Sequence, residues 1–140
     1  MKKRFAAFFI VVIFFTFSSS CKKDAGQGGR ATVKGKVWVR KHDVAYTTVV
    51  DSYAASDADV YIIYGNETSY GDHQKTNYLG DYEFKYLRKG GYKIYVYSDD
   101  SAKLVGPPAN PLAPKMAIVK DISITANKQI VDAGTITVLH

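Results

Sequence analysis

The sequence predicts an all-β domain, a single antiparallel β-sandwich of about seven strands, behind an N-terminal export signal. After residue 30, no segment keeps the 3.6-residue apolar period of a helix over three turns, whereas short segments alternate apolar and polar residues. Turn-forming residues separate these segments at short spacing, as in a sandwich. The 140 residues, 46% of them hydrophobic, allow one domain with its own core and exclude a disordered chain or a two-domain enzyme.

The predicted strands are rich in β-branched and aromatic residues and lie between turn signals. They are Ala31–Val39, Val44–Val50, Asp59–Tyr64, Asp81–Tyr86, Tyr92–Ser98, Met116–Ile124 and Gln129–Leu139. Of these, Val44–Val50 could instead be a long ordered loop. The polar segment Thr68–Tyr78 is ambiguous, although Thr76–Tyr78 could pair. Asp99–Pro114 holds all four prolines, which predicts a long loop of functional interest.

Alternation along two of these strands predicts the central layer of the core. The six apolar residues expected on one face of a hairpin are Tyr82, Phe84, Leu87, Tyr92, Ile94 and Val96. Gly90 and Gly91 lie between the two strands and permit the backbone conformation of a chain reversal.

The first twenty residues have the pattern of a cleaved signal helix. Met1–Arg4 is basic, Phe5–Phe17 carries no charge, and the small residues Ser18–Ser20 follow. As a helix, the apolar run would span roughly 20 Å. That length is short of the roughly 30 Å hydrocarbon core, so we expect a cleaved signal in preference to a permanent membrane anchor.

Cys21 is the only cysteine of the chain, which excludes an internal disulfide and a multi-cysteine metal site. Its position, directly after small residues at the end of an apolar run, resembles the lipobox of bacterial lipoproteins. The resemblance implies a lipid on Cys21, cleavage before it, and a membrane as partner. It also implies the outer membrane, because Lys22 follows the cysteine where an Asp often signals inner-membrane retention; which side of that membrane the domain faces stays open. The alternative is an ordinary cleaved signal with a free thiol, a liability in an oxidising envelope.

Residues 21–30 are expected to be the lipidated cysteine with a flexible tether, and residues 31–140 the domain. The tether prediction rests on a polar, glycine-rich composition without apolar periodicity. Removing Lys2, Lys3 and Arg4 with the signal leaves 16 basic against 13 acidic residues, a net charge of +3. A nucleic-acid partner is therefore not expected, because it requires a clustered basic face.

Three segments of the domain share a spacing of apolar residues and glycines with a known family. The positions are Val33-x-Gly35-x-Val37, Ala58-x-Val60-x-Ile62 and Thr76-x3-Gly80-x-Tyr82-x-Phe84-x2-Leu87-x2-Gly90-Gly91-Tyr92-x-Ile94-x-Val96. This pattern resembles the carboxypeptidase regulatory-like domains, and it is similar to the B-type repeats of bacterial collagen adhesins. The resemblance covers most of residues 31–138 and implies a transthyretin-like Greek-key sandwich. It implies no peptidase activity, because the resemblance is to the regulatory and not the catalytic domain of carboxypeptidases, and a fold does not determine a function.

No catalytic set emerges from the sequence, so we expect a non-enzyme without a cofactor. The three histidines, His42, His73 and His140, are far apart and form no HxH or HxxxH pair. Four acids are weak candidates for calcium ligands. They are Asp57, Asp59, Asp99 and Asp100. Their spacing fits no EF-hand loop, and solvated turn residues are the simpler interpretation.

The unusual feature of the composition is its eleven tyrosines. If the alternate residues of two strands face the core, then Tyr61, Ile63, Tyr95 and Tyr97 face outward. Such a face could stack on a sugar ring or dock an envelope protein, because tyrosine combines a flat apolar body with a polar tip. Alternatively, the tyrosines merely cover the sheet. The sequence thus predicts a lipid-anchored envelope binding module, or else a structural spacer in a larger uptake or adhesion complex.

Overall fold

A computed structural model describes residues 24–43, 45, 47–100 and 114–140. The predicted signal, Cys21 and most of the predicted Pro-rich loop lie outside these residues. The described part contains eight strands: β1 (Gln27–His42), β2 (Val49–Ala54), β3 (Asp59–Tyr64), β4 (Asp72–Lys75), β5 (Asp81–Leu87), β6 (Gly90–Asp99), β7 (Lys115–Ile124) and β8 (Ile130–Leu139). Within it no residue is helical, and no helix of a length and apolarity suited to crossing a membrane occurs. The all-β prediction is confirmed.

The strands form two sheets that pack face to face. In the first sheet, β1 is central, with β8 along one side and with β5 and β2 following one another along the other side. The second sheet has the order β4-β3-β6-β7. The sandwich is therefore confirmed, whereas its Greek-key order stays a prediction.

One strand pair corrects the prediction of a purely antiparallel sandwich. β1 and β8 run parallel, from Thr32 opposite Ile130 to Arg40 opposite Leu139, whereas the other pairings of the described strands are antiparallel. The turn after β7 carries the chain from the second sheet to the first, so β8 does not return beside its predecessor. It pairs instead with a strand from the start of the chain, an arrangement that local patterns cannot reveal.

The core lies between the inner faces of the sheets, as the period-two alternation predicts. Its buried apolar residues are Ala31, Val33, Val37, Val39, Ala55, Val60, Ile62, Tyr82, Phe84, Leu87, Tyr92, Ile94, Val96, Ile124, Ala133, Ile136 and Val138. All six residues predicted for the central layer are among them. Each large apolar side chain buried in this way stabilises the fold by about 1.5–3 kcal/mol.

The prediction that these six residues share one face of a hairpin is wrong. β5 belongs to the first sheet and β6 to the second, so their apolar residues face each other across the core. The chain bends away from a hairpin at Tyr86, which has a φ of 60°, and then crosses between the sheets through Arg88 and Lys89. The backbone N–H of Arg88 donates to the carbonyl of Gly26, so this connection is tied to the start of β1.

The first strand begins at Gln27, earlier than the predicted start at Ala31. Gly26 is buried, and Gln27 pairs with Leu87 of β5. At Gly29 an added Cβ would overlap the backbone of Leu87 and Arg88. The glycines here therefore permit close backbone approach, and residues 27–30 belong to the sheet and not to a flexible tether.

Two further strands also differ in their bounds from the prediction. β2 spans Val49–Ala54 and so begins later than the predicted Val44–Val50, because a turn precedes it. The Asp43 carboxylate accepts hydrogen bonds from the Thr47 N–H (2.7 Å) and hydroxyl (2.7 Å) and from the Thr48 N–H (3.2 Å). These bonds lower the pKa of Asp43. β4 is a short strand inside the ambiguous segment, where Asp72 lies opposite Ile62.

Two buried tyrosines of the core provide a matched test of the packing. The Tyr92 hydroxyl accepts from the Gly26 N–H (3.0 Å) and donates to the Arg88 carbonyl (2.7 Å). The Tyr82 hydroxyl, on a residue only 3% exposed, has no partner among the described residues. We expect Tyr92→Phe to lower the free energy of unfolding by about 1–3 kcal/mol, whereas Tyr82→Phe should be neutral or stabilising. Urea unfolding at pH 7 measures both, and equal losses would contradict the assignment.

The burial of Tyr82 should also make the free energy of unfolding depend on pH in alkaline solution. Burial, and then the charge of Asp132, raises the pKa of Tyr82 to about 12. Between the ordinary pKa of about 10 and this value, the unfolded chain releases the proton and the folded chain keeps it. Stability therefore falls as the pH rises, by about 1.4 kcal/mol for each pH unit. In Tyr82→Phe this contribution to the slope should disappear.

Candidate aromatic binding surface

The outer face of the second sheet carries a row of aromatic side chains at matched register. Tyr61 of β3 lies opposite His73 of β4 on one side and opposite Tyr95 of β6 on the other. Tyr95 in turn lies opposite Val119 of β7. Because directly opposed residues on one face of a sheet lie about 5 Å apart, the row brings these side chains into contact.

Three rings of this row stack into what we call the aromatic ladder, formed by His73, Tyr61 and Tyr95. The centroids of Tyr61 and Tyr95 are 5.0 Å apart with their planes at 12°. The centroids of Tyr61 and His73 are 5.7 Å apart with their planes at 23°. Both faces of the Tyr61 ring are thus covered by neighbours, so this ring cannot act as a stacking platform for a ligand.

Two further tyrosines, the crossed pair Tyr70 and Tyr97, stand at steep angles to the ladder. Tyr97 meets Tyr61 at 5.8 Å and 72° and Tyr95 at 5.6 Å and 84°. Tyr70 meets Tyr61 at 5.2 Å and 63° and His73 at 6.1 Å and 77°. These are favourable edge-to-face arrangements. Tyr97 is 48% exposed and Tyr70 52%, whereas Tyr61 and Tyr95 are less exposed.

The hydroxyl groups of the ladder remain protonated at neutral pH. Burial is the main cause that raises the pKa of Tyr61, with the charge of Asp59 next. Burial also raises the pKa of Tyr95, followed by the neighbouring Tyr97. The surface therefore offers neutral hydroxyl donors beside apolar ring carbons.

A charged group borders the aromatic surface where β3 begins. Lys75 of β4 lies 3.1 Å from a carboxylate oxygen of Asp57 and 3.8 Å from one of Asp59. The hydrogen bond to Asp57 is the main cause that raises the pKa of Lys75. The Lys75 ammonium thus pairs with the carboxylates of both Asp57 and Asp59. Other oxygens of these carboxylates can therefore accept hydrogen bonds from a ligand.

A groove of about 350 Å³ opens between the two sheets beside this surface. Tyr61 and Tyr97 belong to both the aromatic surface and the groove, and Asp57 and Asp59 also line it. The groove therefore adjoins the aromatic surface at Tyr61 and Tyr97.

A larger cleft, of about 710 Å³, lies elsewhere and is lined mainly by charged and polar residues. Its acids and bases bind one another: Lys36 lies 2.8 Å from Asp81 and donates at 2.6 Å to the Leu79 carbonyl. We consider it a poorer candidate, because it lacks the apolar lining that is typical of ligand sites.

The structure places the four residues of the predicted face as follows. Tyr61, Tyr95 and Tyr97 come together, although with unequal exposure. Ile63 lies in the neighbouring cross-strand row opposite Lys93, whose ammonium lies 2.6 Å from Asp121. Ile63 is thus outside the aromatic cluster.

Sequence reasoning missed Tyr70 and His73. Both belong to the polar segment whose pairing the sequence leaves ambiguous. A polar strand such as β4, with the sequence DHQK, has no apolar alternation from which its register could be read.

The weak calcium candidates occupy two separate places. Asp57 and Asp59 surround Lys75, whereas Asp99 of β6 pairs with Lys115 of β7 and lies 3.6 Å from His140. The backbone N–H of Asp100 donates to the Pro114 carbonyl at 3.0 Å. Among the described residues, no three His, Cys, Asp or Glu side chains come together as a metal site would require.

No protein-family model and no curated protein sequence matches this chain. Among solved structures, the chain is similar to the crystal structure of a candidate carbohydrate-binding protein from Pseudomonas aeruginosa. The two share 9% identity with a TM-score of 0.45, over 83% of this chain and 92% of that chain. A likeness this distant does not establish a shared function, and the resemblance to carboxypeptidase regulatory-like domains stays a prediction.

Proposed function

We infer that this protein is a non-catalytic carbohydrate-binding module, anchored at the cell envelope by a lipid on Cys21. The observation that supports carbohydrate binding most strongly is the crossed pair Tyr70 and Tyr97, which is half exposed and held at fixed angles by the aromatic ladder. A rigid platform loses little conformational entropy when a ligand binds, and this favours affinity.

The chemistry around the crossed pair suits a sugar. A pyranose has an apolar face of C–H groups that can lie on an aromatic ring, and a rim of hydroxyls that need hydrogen-bond partners. Tyr97 and Tyr70 offer ring surface. Asp57 and Asp59, which line the groove together with Tyr97, offer acceptors, and Lys75 beside these acids offers a donor. Each part of the ligand thus meets a group of matching polarity.

The double substitution Tyr70→Ala and Tyr97→Ala tests this proposal. We expect the affinity for any glycan that the wild type binds to fall at least about tenfold, equivalent to about 1.4 kcal/mol, because the apolar contact with both rings is lost. Glycan arrays followed by titration calorimetry measure the effect. Because the edge-to-face contacts with the ladder are also lost, a lower melting temperature is expected, and titrations are made at a temperature where both proteins are folded.

The matched control is Tyr78→Ala. Tyr78 is 79% exposed but makes no ring contact with the cluster, so its loss should leave binding unchanged. Equal binding by the double variant and the wild type would contradict the proposal. Absence of glycan binding by the wild type, together with stable capture of one envelope protein, would favour the structural spacer.

The lipid anchor is supported by the sequence around Cys21 and is tested separately. In cells that process lipoproteins, the wild type should partition with membranes, and mass spectrometry of its N-terminal peptide should show acyl groups on Cys21. Two or more acyl chains anchor a protein stably, whereas one is marginal. In Cys21→Ser these acyl groups should be absent. An unmodified Cys21 thiol in the wild type would contradict this part of the proposal.

A further inference from the structure

The groove beside Tyr97 adjoins the aromatic surface but is lined by different kinds of residue. Its floor consists of apolar residues at the end of the core, namely Val39, Ala55, Val96 and Val138. Each of these is at most 4% exposed. Val39, Val96 and Val138 belong to strands of both sheets and Ala55 directly follows β2, so the sandwich itself positions most of the floor.

The rim of the groove is polar on one side. Asp57 and Asp59 line it, and Lys75 partly neutralises them. The groove therefore combines an apolar floor, carboxylate acceptors at the rim and the Tyr97 ring at its entrance. This is the composition of small-molecule sites, which are mostly apolar with a few placed polar groups.

We propose that this groove binds the N-acetyl group of an amino sugar whose pyranose ring lies against Tyr97. This inference rests on the carbohydrate-binding function proposed above and specifies its ligand. An acetamido substituent has a methyl group that suits the valine floor and an N–H that can donate to a carboxylate at the rim. A plain hexose has a hydroxyl at that position and would leave the apolar floor in contact with water.

The size of the groove agrees with a single substituted sugar. Pockets for small molecules range from about 300 to 1,000 Å³, and this groove, at about 350 Å³, lies at the low end. Only one unit of a longer chain would enter it, whereas the neighbouring units would extend over the crossed pair.

Two tetrasaccharides test the proposal, chitotetraose and cellotetraose. Both are β-1,4-linked chains with the glucose configuration, and they differ in the N-acetylamino group that replaces one hydroxyl. We expect the wild type to bind chitotetraose at least about tenfold more tightly in calorimetric titration, since burying a methyl-sized group in an apolar pocket discriminates by about 10–200-fold.

Ser56→Trp blocks the groove from an exposed position. In this variant the preference should disappear, because the affinity for chitotetraose should fall to that for cellotetraose. Asn127→Trp, on the exposed turn before β8, is the matched control and should keep the preference. Thermal melting of both variants establishes that they are folded.

The outcomes separate the two proposals. Equal wild-type affinity for both tetrasaccharides, or an unchanged preference in Ser56→Trp, would overturn the assignment of the groove and leave carbohydrate binding intact. Absence of binding to either tetrasaccharide and to any arrayed glycan would overturn both.

Discussion

Replacing Phe84 by alanine should lower the free energy of unfolding by about 3–5 kcal/mol. Phe84 is 1% exposed, belongs to the first sheet opposite Val33 and packs its ring 6.0 Å from that of Tyr82. The truncation removes the transfer free energy of the ring and leaves a cavity between two sheets that cannot collapse freely. Urea unfolding followed by the fluorescence of Trp38, the only tryptophan, measures the loss.

The neighbouring position provides the control. Glu83 points outward from the same strand and pairs with Lys85 at 2.9 Å on an exposed surface. Glu83→Ala should cost less than about 1 kcal/mol, since exposed ion pairs contribute little. If Phe84→Ala costs no more than Glu83→Ala, the inner and outer faces of β5 have been assigned the wrong way round.

Gly29→Ala should destabilise the fold by about 1–3 kcal/mol. The new methyl group would overlap the carbonyl of Leu87 and the backbone nitrogen of Arg88. Both obstacles are backbone atoms, so no side-chain rotation relieves the clash and the start of β1 must move away from β5. The midpoint of urea unfolding measures the effect.

Gly91→Ala is the matched control, because a Cβ at Gly91 would meet no atom within 4 Å. Neither glycine has a φ in the left-handed region, so backbone strain does not separate the two variants. A silent Gly29→Ala would mean that residues 27–30 behave as the flexible tether of the sequence-based prediction and that the sheet starts near Ala31.

The contrast between these two predictions shows what sequence patterns determine. The side of β5 that carries Phe84 follows from alternation within one strand, and alternation in β3 and β6 likewise turns Tyr61, Tyr95 and Tyr97 outward. A glycine-rich segment is ambiguous, because the same composition suits a flexible linker and a close approach of two backbones. The position of the neighbouring strand, which the segment itself does not encode, distinguishes a linker from a close backbone approach.

The binding surface was predictable in part for the same reason. Its strands and their outward residues could be read locally, whereas the positions of His73 opposite Tyr61 and of Tyr70 beside it depend on the pairing of β4. Ring orientation depends on packing among side chains from several strands. The sequence consequently favoured Tyr61 as a platform, although its faces are occupied, and missed Tyr70, which is exposed.

The measurement that tests carbohydrate binding most directly is NMR of the ring resonances in protein labelled with ¹³C-tyrosine. On titration with chitotetraose and then cellotetraose, the account predicts shift changes at Tyr97 and Tyr70 that saturate with ligand concentration, with no change at the exposed Tyr78 and Tyr86. Unchanged resonances at Tyr97 and Tyr70, or changes confined to Tyr78 and Tyr86, would contradict it.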